Sequence, residues 1–495
     1  MMDRKKQFPN IILIVIDALR ARNLGCYGDS NELSPNIDKV AQESIVFENA
    51  YCCWNSTDPS LTSILSGKYP ISHGITNHGD KITREELTTF NLTGTKTLAE
   101  VLHQYGYKSM TVDWLGRWFK RGFEHYGYGF KRGFLEKMKY YAVRLPVLYF
   151  RYLTGHIGIF RCYIGKRKFK FHWLVEDIKN VTDTFLFSKE LAKIQDAGFV
   201  TEIGIQLIKE VKKEKFFLFL HYWDTHTPYN CPKGNLTYRG TDSKKVLIAK
   251  YEGAVSYIDQ QIGRLFEQLR ETGVLEDTII IITSDHGDSL TEHAIFFDHH
   301  GLYEETTHVP LILHYPEFFP QAKRVKGFVQ HIDLLPTILE ILEIDDKGLN
   351  FDGTSLIPLI ENRVSEIRSF VYNEESYVQK KRAIRTKRYK YITALNGDSG
   401  LCRYCHKIHA GSEELYDLEK DPNENINIVN KNISIAEDMK KRLKETINDL
   451  INRREKEIND RWSKQDIINS NNQDIYSEKE RREVRRKLKS LGYID

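Results

Sequence analysis

A chain of 495 residues has room for two or three domains, and an apolar fraction of 41% supplies a full core. With 72 Lys and Arg against 68 Asp and Glu, the net charge is only +4, which excludes a nucleic-acid binder driven by overall charge. Seven irregularly spaced Cys exclude a disulfide framework.

The apolar run over residues 11–16 is too short for a secretory signal or a membrane span. The five Asn-x-Ser/Thr sequons (Asn55, Asn91, Asn180, Asn235, Asn432) then read as chance, and a cytoplasmic protein is expected. The same run reads as a strand buried on both faces. Asp17 at its end is placed either to cap a helix or to point into the crevice where α/β sheets bind ligands. Residues 36–47 read as a helix running into a short strand.

Thr57-Asp58-Pro59 then precedes a short helical run. Pro favours the first helical position, and Thr or Asp just before it caps. Thr57 is therefore expected at a helix N-terminus, where N–H groups and the helix dipole attract an anion. A further helix (97–105) and strand (107–112) continue a βαβ alternation, which predicts a parallel sheet.

Residues 129–175 break that rhythm. Between Lys131 and Lys170 stand eleven Lys and Arg and one acid, Glu136. Arg144, Pro146 and Arg151 interrupt the apolar part, so it does not span a membrane. It suits an anionic membrane surface, a path for an anionic substrate, or a solvated basic insertion.

After a helix at 198–211, residues 215–223 form a second buried strand that delivers Asp224 and His226. An amphipathic helix (250–270) leads to a third such strand (277–284), which delivers Asp285 and His286. Residues 309–314 read as a strand and 333–342 as a helix. Beyond Arg368, short strands at 370–373, 382–393 and 414–418 predict a small antiparallel sheet. Charged helices are expected at 433–461 and 477–491. The expected division is an α/β domain over 1–365 with an insertion at about 125–200, a subdomain over 366–430 and a helical tail over 431–495. Cys402 and Cys405 form a single CxxC, and His406 is too near to complete an ordinary four-ligand zinc site.

Asp17, Asp285 and His286 are hard oxygen ligands plus an imidazole, a set suited to Mn²⁺, Zn²⁺, Mg²⁺ or Ca²⁺. An ion beside the Thr57 hydroxyl would lower its pKa and make it a nucleophile toward a phosphoryl or sulfuryl group. A leaving alcohol needs a proton, and His226 and His299 are candidates to give it. Lys68 and Arg20 are candidates to offset the charge of an anionic substrate. The remaining His293, His308 and His314 read as structural.

At these residues the chain resembles the sulfatase family of the alkaline phosphatase superfamily. The matching pieces include residues 10–20, Pro35-Asn36-Ile37-Asp38, Thr57-Asp58-Pro59-Ser60 with Ser66-Gly67-Lys68-Tyr69-Pro70, and His221-Tyr222-Trp223-Asp224-Thr225-His226. Further on they include Ser284-Asp285-His286-Gly287, residues 302–310, residues 331–337 and Asp352-Gly353-Thr354-Ser355-Leu356. They run in order along nearly the whole chain except about 125–200. The resemblance implies a doubly wound, mostly parallel α/β domain with a small antiparallel C-terminal subdomain. It implies one catalytic divalent metal held by Asp17, Thr57, Asp285 and His286. His226 and His299 match residues that contact the transferred group or leaving oxygen, with His300 as competitor for the latter place. Asp224 belongs with the substrate-binding set, or with a second metal.

Three departures stand out. Typical sulfatases carry Cys or Ser at the position of Thr57, for conversion to formylglycine, and Arg at the position of Leu61. Their Asp-Asp pair after the first strand is Asp17-Ala18 here. Cys52 and Cys53 lie out of register. A Thr nucleophile looks more like the phosphodiesterase, phosphonate hydrolase and phosphotransferase branches. The expectation is a hydrolase of sulfate or phosphate-type esters, with phospho esters favoured, acting on a small-molecule, glycan or lipid-headgroup anion. A phosphotransferase using the same Thr57 intermediate is the alternative, and a non-catalytic binding protein the third reading.

Overall fold

The three continuous apolar runs become neighbours at the centre of one sheet, and their side chains show why each had to be apolar throughout. In β1 (Asn10–Ile16), Ile11, Leu13 and Val15 enter one core layer, and Ile12, Ile14 and Ile16 enter the layer on the opposite face. The computed structural model describes residues 8–113, 117–127, 196–238, 240–376, 380–395 and 413–462. The basic segment at 129–175, Cys402, Cys405 and the helix expected at 477–491 lie outside these residues.

After β1 come α1 (Pro35–Ala41), β2 (Ile45–Tyr51), α2 (Thr57–Ser66), α3 (Pro70–His73), α4 (Arg84–Leu92), α5 (Leu98–Gln104), β3 (Lys108–Val112) and β4 (His125–Tyr126). Then follow α6 (Ala197–Val211), β5 (Phe216–Tyr222), α7 (Ser243–Thr272), β6 (Thr278–Thr283), α8 (Glu304–Thr307), β7 (Leu311–His314), β8 (Lys323–Gln330), α9 (Leu334–Ile341) and α10 (Ile357–Ile360). Among the described residues, strands β1 to β8 form one sheet in the order β4-β3-β5-β1-β6-β7-β2-β8. All its pairings are parallel except those of β7. Apolar faces of α2, α5 and α9 cover one side of this sheet, and those of α1, α6 and α7 cover the other. This is a doubly wound α/β architecture.

A second, antiparallel sheet has the order β12-β11-β10-β9, from β9 (Phe370–Glu375), β10 (Lys381–Thr386), β11 (Tyr389–Ala394) and β12 (Glu413–Asp417). The long α11 (Ile433–Arg461) packs Ala436, Met439, Leu443, Ile447 and Leu450 against it, a spacing that presents one helical stripe. Among the described residues, no helix is long and apolar enough to cross a membrane.

Several elements differ from expectation. The strand expected over 382–393 is the hairpin β10-β11, turned at residues 387–388. The helix expected over 250–270 begins earlier, at Ser243, because Asp242 caps it by accepting the N–H groups of Lys244 and Lys245. Helix α2 starts at Thr57 itself, with Ser56 as its extended N-terminal neighbour, and Pro59 is its third residue. Pro is tolerated there because the first turn's N–H groups have no partner within the helix.

Candidate active site

Parallel pairing brings the ends of β5, β1 and β6 to one edge, where Ile16 aligns with Tyr222 and Val15 with Thr283. Asp17, Asp224, His226, Asp285 and His286 follow directly on these strands. The backbone there is held tightly. The Asp17 N–H donates to the Tyr222 carbonyl at 2.8 Å, and the Leu19 N–H donates to Ser284 Oγ at 2.9 Å. Ala18 takes a left-handed φ of 57°, a strained choice for a residue with a Cβ. It turns the chain so that the Ala18 N–H donates to Asp285 Oδ1 at 3.1 Å. Gly287 has no such freedom to gain a side chain, since a Cβ there would collide with the Glu305 carbonyl.

One ligand atom each from Asp17, Asp285 and His286 lies within 4.8 Å of the others. All three side chains are fully buried. Asp285 spends Oδ1 on the N–H groups of Ala18 and His286, and His286 Nδ1 lies 2.8 Å from the Gly287 carbonyl. What remains is Asp17 Oδ1, Asp285 Oδ2 and His286 Nε2, three buried atoms without a hydrogen-bond partner. His286 Nε2 stands 3.8 Å from Asp17 Oδ1 and 3.4 Å from Asp285 Oδ2. Burial and the Asp285 carboxylate push Asp17 well above the usual carboxylate range. Burial acts the same way on Asp285, but the imidazoles of His286 and His221 and two backbone donors outweigh it and hold that group low. Two repelling buried carboxylates with orphaned acceptors fit a divalent cation.

Thr57 joins this set at the N-terminus of α2, its Oγ1 donating to Asp17 Oδ2 at 3.5 Å. Ser60, one turn on, donates to the Asp285 carbonyl at 2.6 Å and so ties α2 to the end of β6.

The ring of His299 lies 4.6 Å from that of His286 and 5.9 Å from that of His226. His299 Nδ1 meets the Asn55 carbonyl at 2.6 Å, and His226 Nδ1 meets the Thr227 carbonyl at 2.7 Å. An Nδ1–H donated to a carbonyl makes Nε2 the basic nitrogen of each ring. Burial, then the charge of His286, lowers His226 to about 4. Burial and the neighbouring imidazoles also lower His299 well below its ordinary value.

The other sequence candidates fall elsewhere. Lys68 lies two residues past the C-terminal end of α2, at the opposite end of that helix from Thr57, and its ammonium pairs with Glu457 of α11 at 2.6 Å. Arg20 pairs with Glu292 at 2.8 Å. Asp224 Oδ1 accepts from the Ala197 N–H at 3.1 Å and from Asn230 at 2.8 Å, so this side chain braces the start of α6. His300 diverges from its neighbour toward Asp298, 3.4 Å away. As expected of structural residues, His308 meets the Glu48 carbonyl and His314 meets Ser44.

Seven further residues surround these groups. Asn55 donates to the His299 and Gly301 carbonyls and to Glu375 of β9, at 2.7, 3.1 and 2.8 Å. The small sheet thereby reaches His299. His221, inside β5, lies 3.8 Å from Asp17 and 3.5 Å from Asp113. Arg117 pairs with Asp113 at 2.8 Å and with Asp58, and His78 Nδ1 lies 3.0 Å from Asp58. Asp58 itself was visible as the neighbour of Thr57. His221 lies within a stretch already matched, and nothing in local pattern marks the rest, since most of their partners are distant in sequence.

Comparison with known proteins bears on the family and the fold. The family model described as Sulfatase matches residues 9–344, and one described as N-sulphoglucosamine sulphohydrolase, C-terminal, matches residues 291–453. An arylsulfatase of Clostridium perfringens is 28% identical over 469 residues, covering 85% of this chain and 90% of its own. An N-acetylglucosamine-6-O-sulfatase of Bacteroides thetaiotaomicron is 25% identical over 498 residues, covering 86% and 83%. Among solved structures, a phosphonate monoester hydrolase of Agrobacterium radiobacter superposes with a TM-score of 0.62 at 18% identity, covering 90% of this chain and 96% of its own.

Proposed function

Because the chain belongs to the sulfatase family, we propose that it is a metal-dependent hydrolase of anionic esters that works through a covalent Thr57 intermediate, with phosphate-type esters favoured over sulfate. The observation that carries this reading is the Thr57 hydroxyl at the head of α2, 3.5 Å from Asp17 and beside the buried Asp17, Asp285 and His286 donors. A divalent ion held by those donors supplies charge neutralisation and a lower pKa for the hydroxyl.

The chain's own residues then have distinct tasks. Thr57 Oγ1 loses its proton to solvent water, which returns it when the cycle closes, and forms a bond to phosphorus or sulfur, while the bond to the leaving alcohol oxygen breaks. The rings of His226 and His299 lie 5.9 Å apart, each with Nδ1 anchored to a backbone carbonyl. Either ring, once protonated, gives its proton to that oxygen. In the second half the neutral ring takes a proton from water as it attacks, which releases the inorganic anion and restores Thr57. The N-terminal end of α2, headed by Thr57, lends its dipole to the same anionic group, although Pro59 has no N–H and the Ser60 N–H donates to the Ser56 carbonyl.

Preference for phosphorus follows from Thr57. It is a secondary alcohol with no route to the formylglycine aldehyde expected at this position in a sulfatase, so it must act as the hydroxyl it is. The substrate class is a small-molecule, glycan or lipid-headgroup ester. Transfer to an acceptor alcohol in place of water uses the same intermediate, and the basic segment at 129–175 would favour it if that segment engages a membrane. The deciding test is turnover of matched aryl sulfate, phosphate monoester and phosphodiester by the metal-loaded protein. Phospho-ester turnover is expected. Turnover of the sulfate alone would refute the phosphorus preference.

A further inference from the structure

Ser60 stands three residues after Thr57 in α2, and both Ser60 and His331 are buried. The Ser60 hydroxyl has a single proton and two polar neighbours. The Asp285 carbonyl lies 2.6 Å from Oγ, and His331 Nδ1 lies 3.1 Å from it. A carbonyl oxygen only accepts, so the shorter contact takes the hydroxyl proton. Nδ1 is then the donor to Oγ, which puts the ring's proton on Nδ1. Nε2 is buried and has no hydrogen-bond partner, so a proton there would go undonated. Burial lowers this ring to about 4, against the Asp285 charge and the Ser284 carbonyl, which favour its charged form. Near neutral pH the ring therefore carries one proton.

The backbone that bears His331 is rigid. It is the turn at residues 331–333, between β8 and α9. Asp333 is fully buried there and accepts the Gln330 N–H at 2.7 Å and the Thr354 N–H at 2.9 Å, and it pairs with Arg368. Gly353 packs so closely on this turn that a Cβ would strike the Ile332 carbonyl. The Asp352 and Gly353 N–H groups donate to the carbonyl of Gly67, the residue just past α2, at 2.8 and 3.2 Å. One platform thus holds α2 near both of its ends.

From this geometry we infer that His331 is a positioning residue for the nucleophile: its Nδ1–H, donated to Ser60, commits the Ser60 proton to the Asp285 carbonyl and fixes the head of α2, with Thr57, against the end of β6. The Asp285 carboxylate is held separately, by the Ala18 and His286 N–H groups. Loss of the His331 donor therefore shifts Thr57 relative to the metal ligands and leaves the ligands in place. The kinetic consequence rests on the reading of Thr57 as nucleophile.

The test compares His331→Gln, His331→Asn and Ser60→Ala with wild type as metal-loaded full chains, with melting temperature checked for each. The Asn amide N–H falls near the place of Nδ1, and the Gln amide N–H falls near that of Nε2. For an aryl phosphate, kcat is expected to fall roughly 10- to 100-fold in His331→Gln and Ser60→Ala, with KM unchanged. Metal affinity, by calorimetry, is expected to stay as in wild type. His331→Asn is expected to recover most of kcat, and the double variant Ser60→Ala/His331→Gln to fall no further than Ser60→Ala. Ser60→Ala carries the test if His331→Gln does not fold. A readout without turnover is NMR of protein labelled with ¹⁵N-histidine, where the His331 signal, identified by its loss in His331→Asn, is expected to report a neutral ring protonated on Nδ1.

A His331 proton on Nε2 overturns the inference. So does a folded His331→Gln protein with unchanged kcat, an equal loss in His331→Asn and His331→Gln, or a parallel loss of metal affinity. An Nδ1-protonated ring in a protein that turns over no ester keeps the tie to Ser60 and removes the hydrolase reading.

Discussion

Replacing Thr57 by Ala tests the nucleophile with little risk to the fold. The substitution removes Oγ1 and one methyl from a side chain only 2% exposed. Its side-chain hydrogen bond to Asp17 is long, at 3.5 Å, and contributes about 0.5 kcal/mol or less. Loss of the buried methyl costs about 1 kcal/mol. Ala is the better helix former by up to ~0.7 kcal/mol, which offsets part of this. The net destabilisation is about 1 kcal/mol, a shift of roughly 2 °C or less for a domain of this size. Turnover is affected on another scale, because removing a nucleophile typically costs roughly 10⁴- to 10⁶-fold. The assay is steady-state hydrolysis of an aryl phosphate at matched metal content, with a melting curve on the same preparations. Thr57→Ser should retain a measurable fraction of the activity. A Thr57→Ala protein that melts normally and keeps turnover within tenfold of wild type would refute the assignment.

Chelation should abolish turnover and lower the melting temperature, since it returns Asp17 and Asp285 to mutual repulsion, and added Mn²⁺, Zn²⁺, Ca²⁺ or Mg²⁺ should restore both; an enzyme indifferent to chelator contradicts the metal site. His226→Ala and His299→Ala should slow esters of alkyl alcohols far more than esters of nitrophenol, which leaves without a proton, and equal losses on both would remove the proton-transfer role. Glu375→Gln should lower kcat about tenfold by loosening the Asn55 contact that holds the His299 loop, and an unchanged kcat would separate the small sheet from catalysis. Burial lowers His73 to about 3 and His331 to about 4, against about 6.5 when unfolded. The unfolded state therefore binds protons that the native state refuses. Stability is fully present above pH 6.5 and falls as pH drops toward 4, by up to roughly 3 kcal/mol per residue. A urea midpoint unchanged between about pH 7 and pH 4.5 would contradict the buried neutral state of these rings.

The sequence by itself determined the central sheet and which side chains stand at its edge. Strands β1, β5 and β6 are legible because a parallel strand covered on both faces must be apolar at every position, and each ends in Asp or His where the chain leaves the sheet. Thr57 before a helical run was visible for a similar local reason. Strand β8 was not legible, since its first half carries Lys323, Arg324 and Lys326 at a sheet edge and half-buried positions mute the pattern. Nor was the antiparallel direction of β7, because four apolar residues read the same in either direction. Tertiary structure alone decided that Lys68 serves α11, that His300 turns toward Asp298, and that Asp58 gathers His78 and Arg117. Periodicity records only neighbours a few residues apart on one helix or strand. An ion pair such as Asp58 with Arg117 joins residues nearly sixty apart, and only packing sets it.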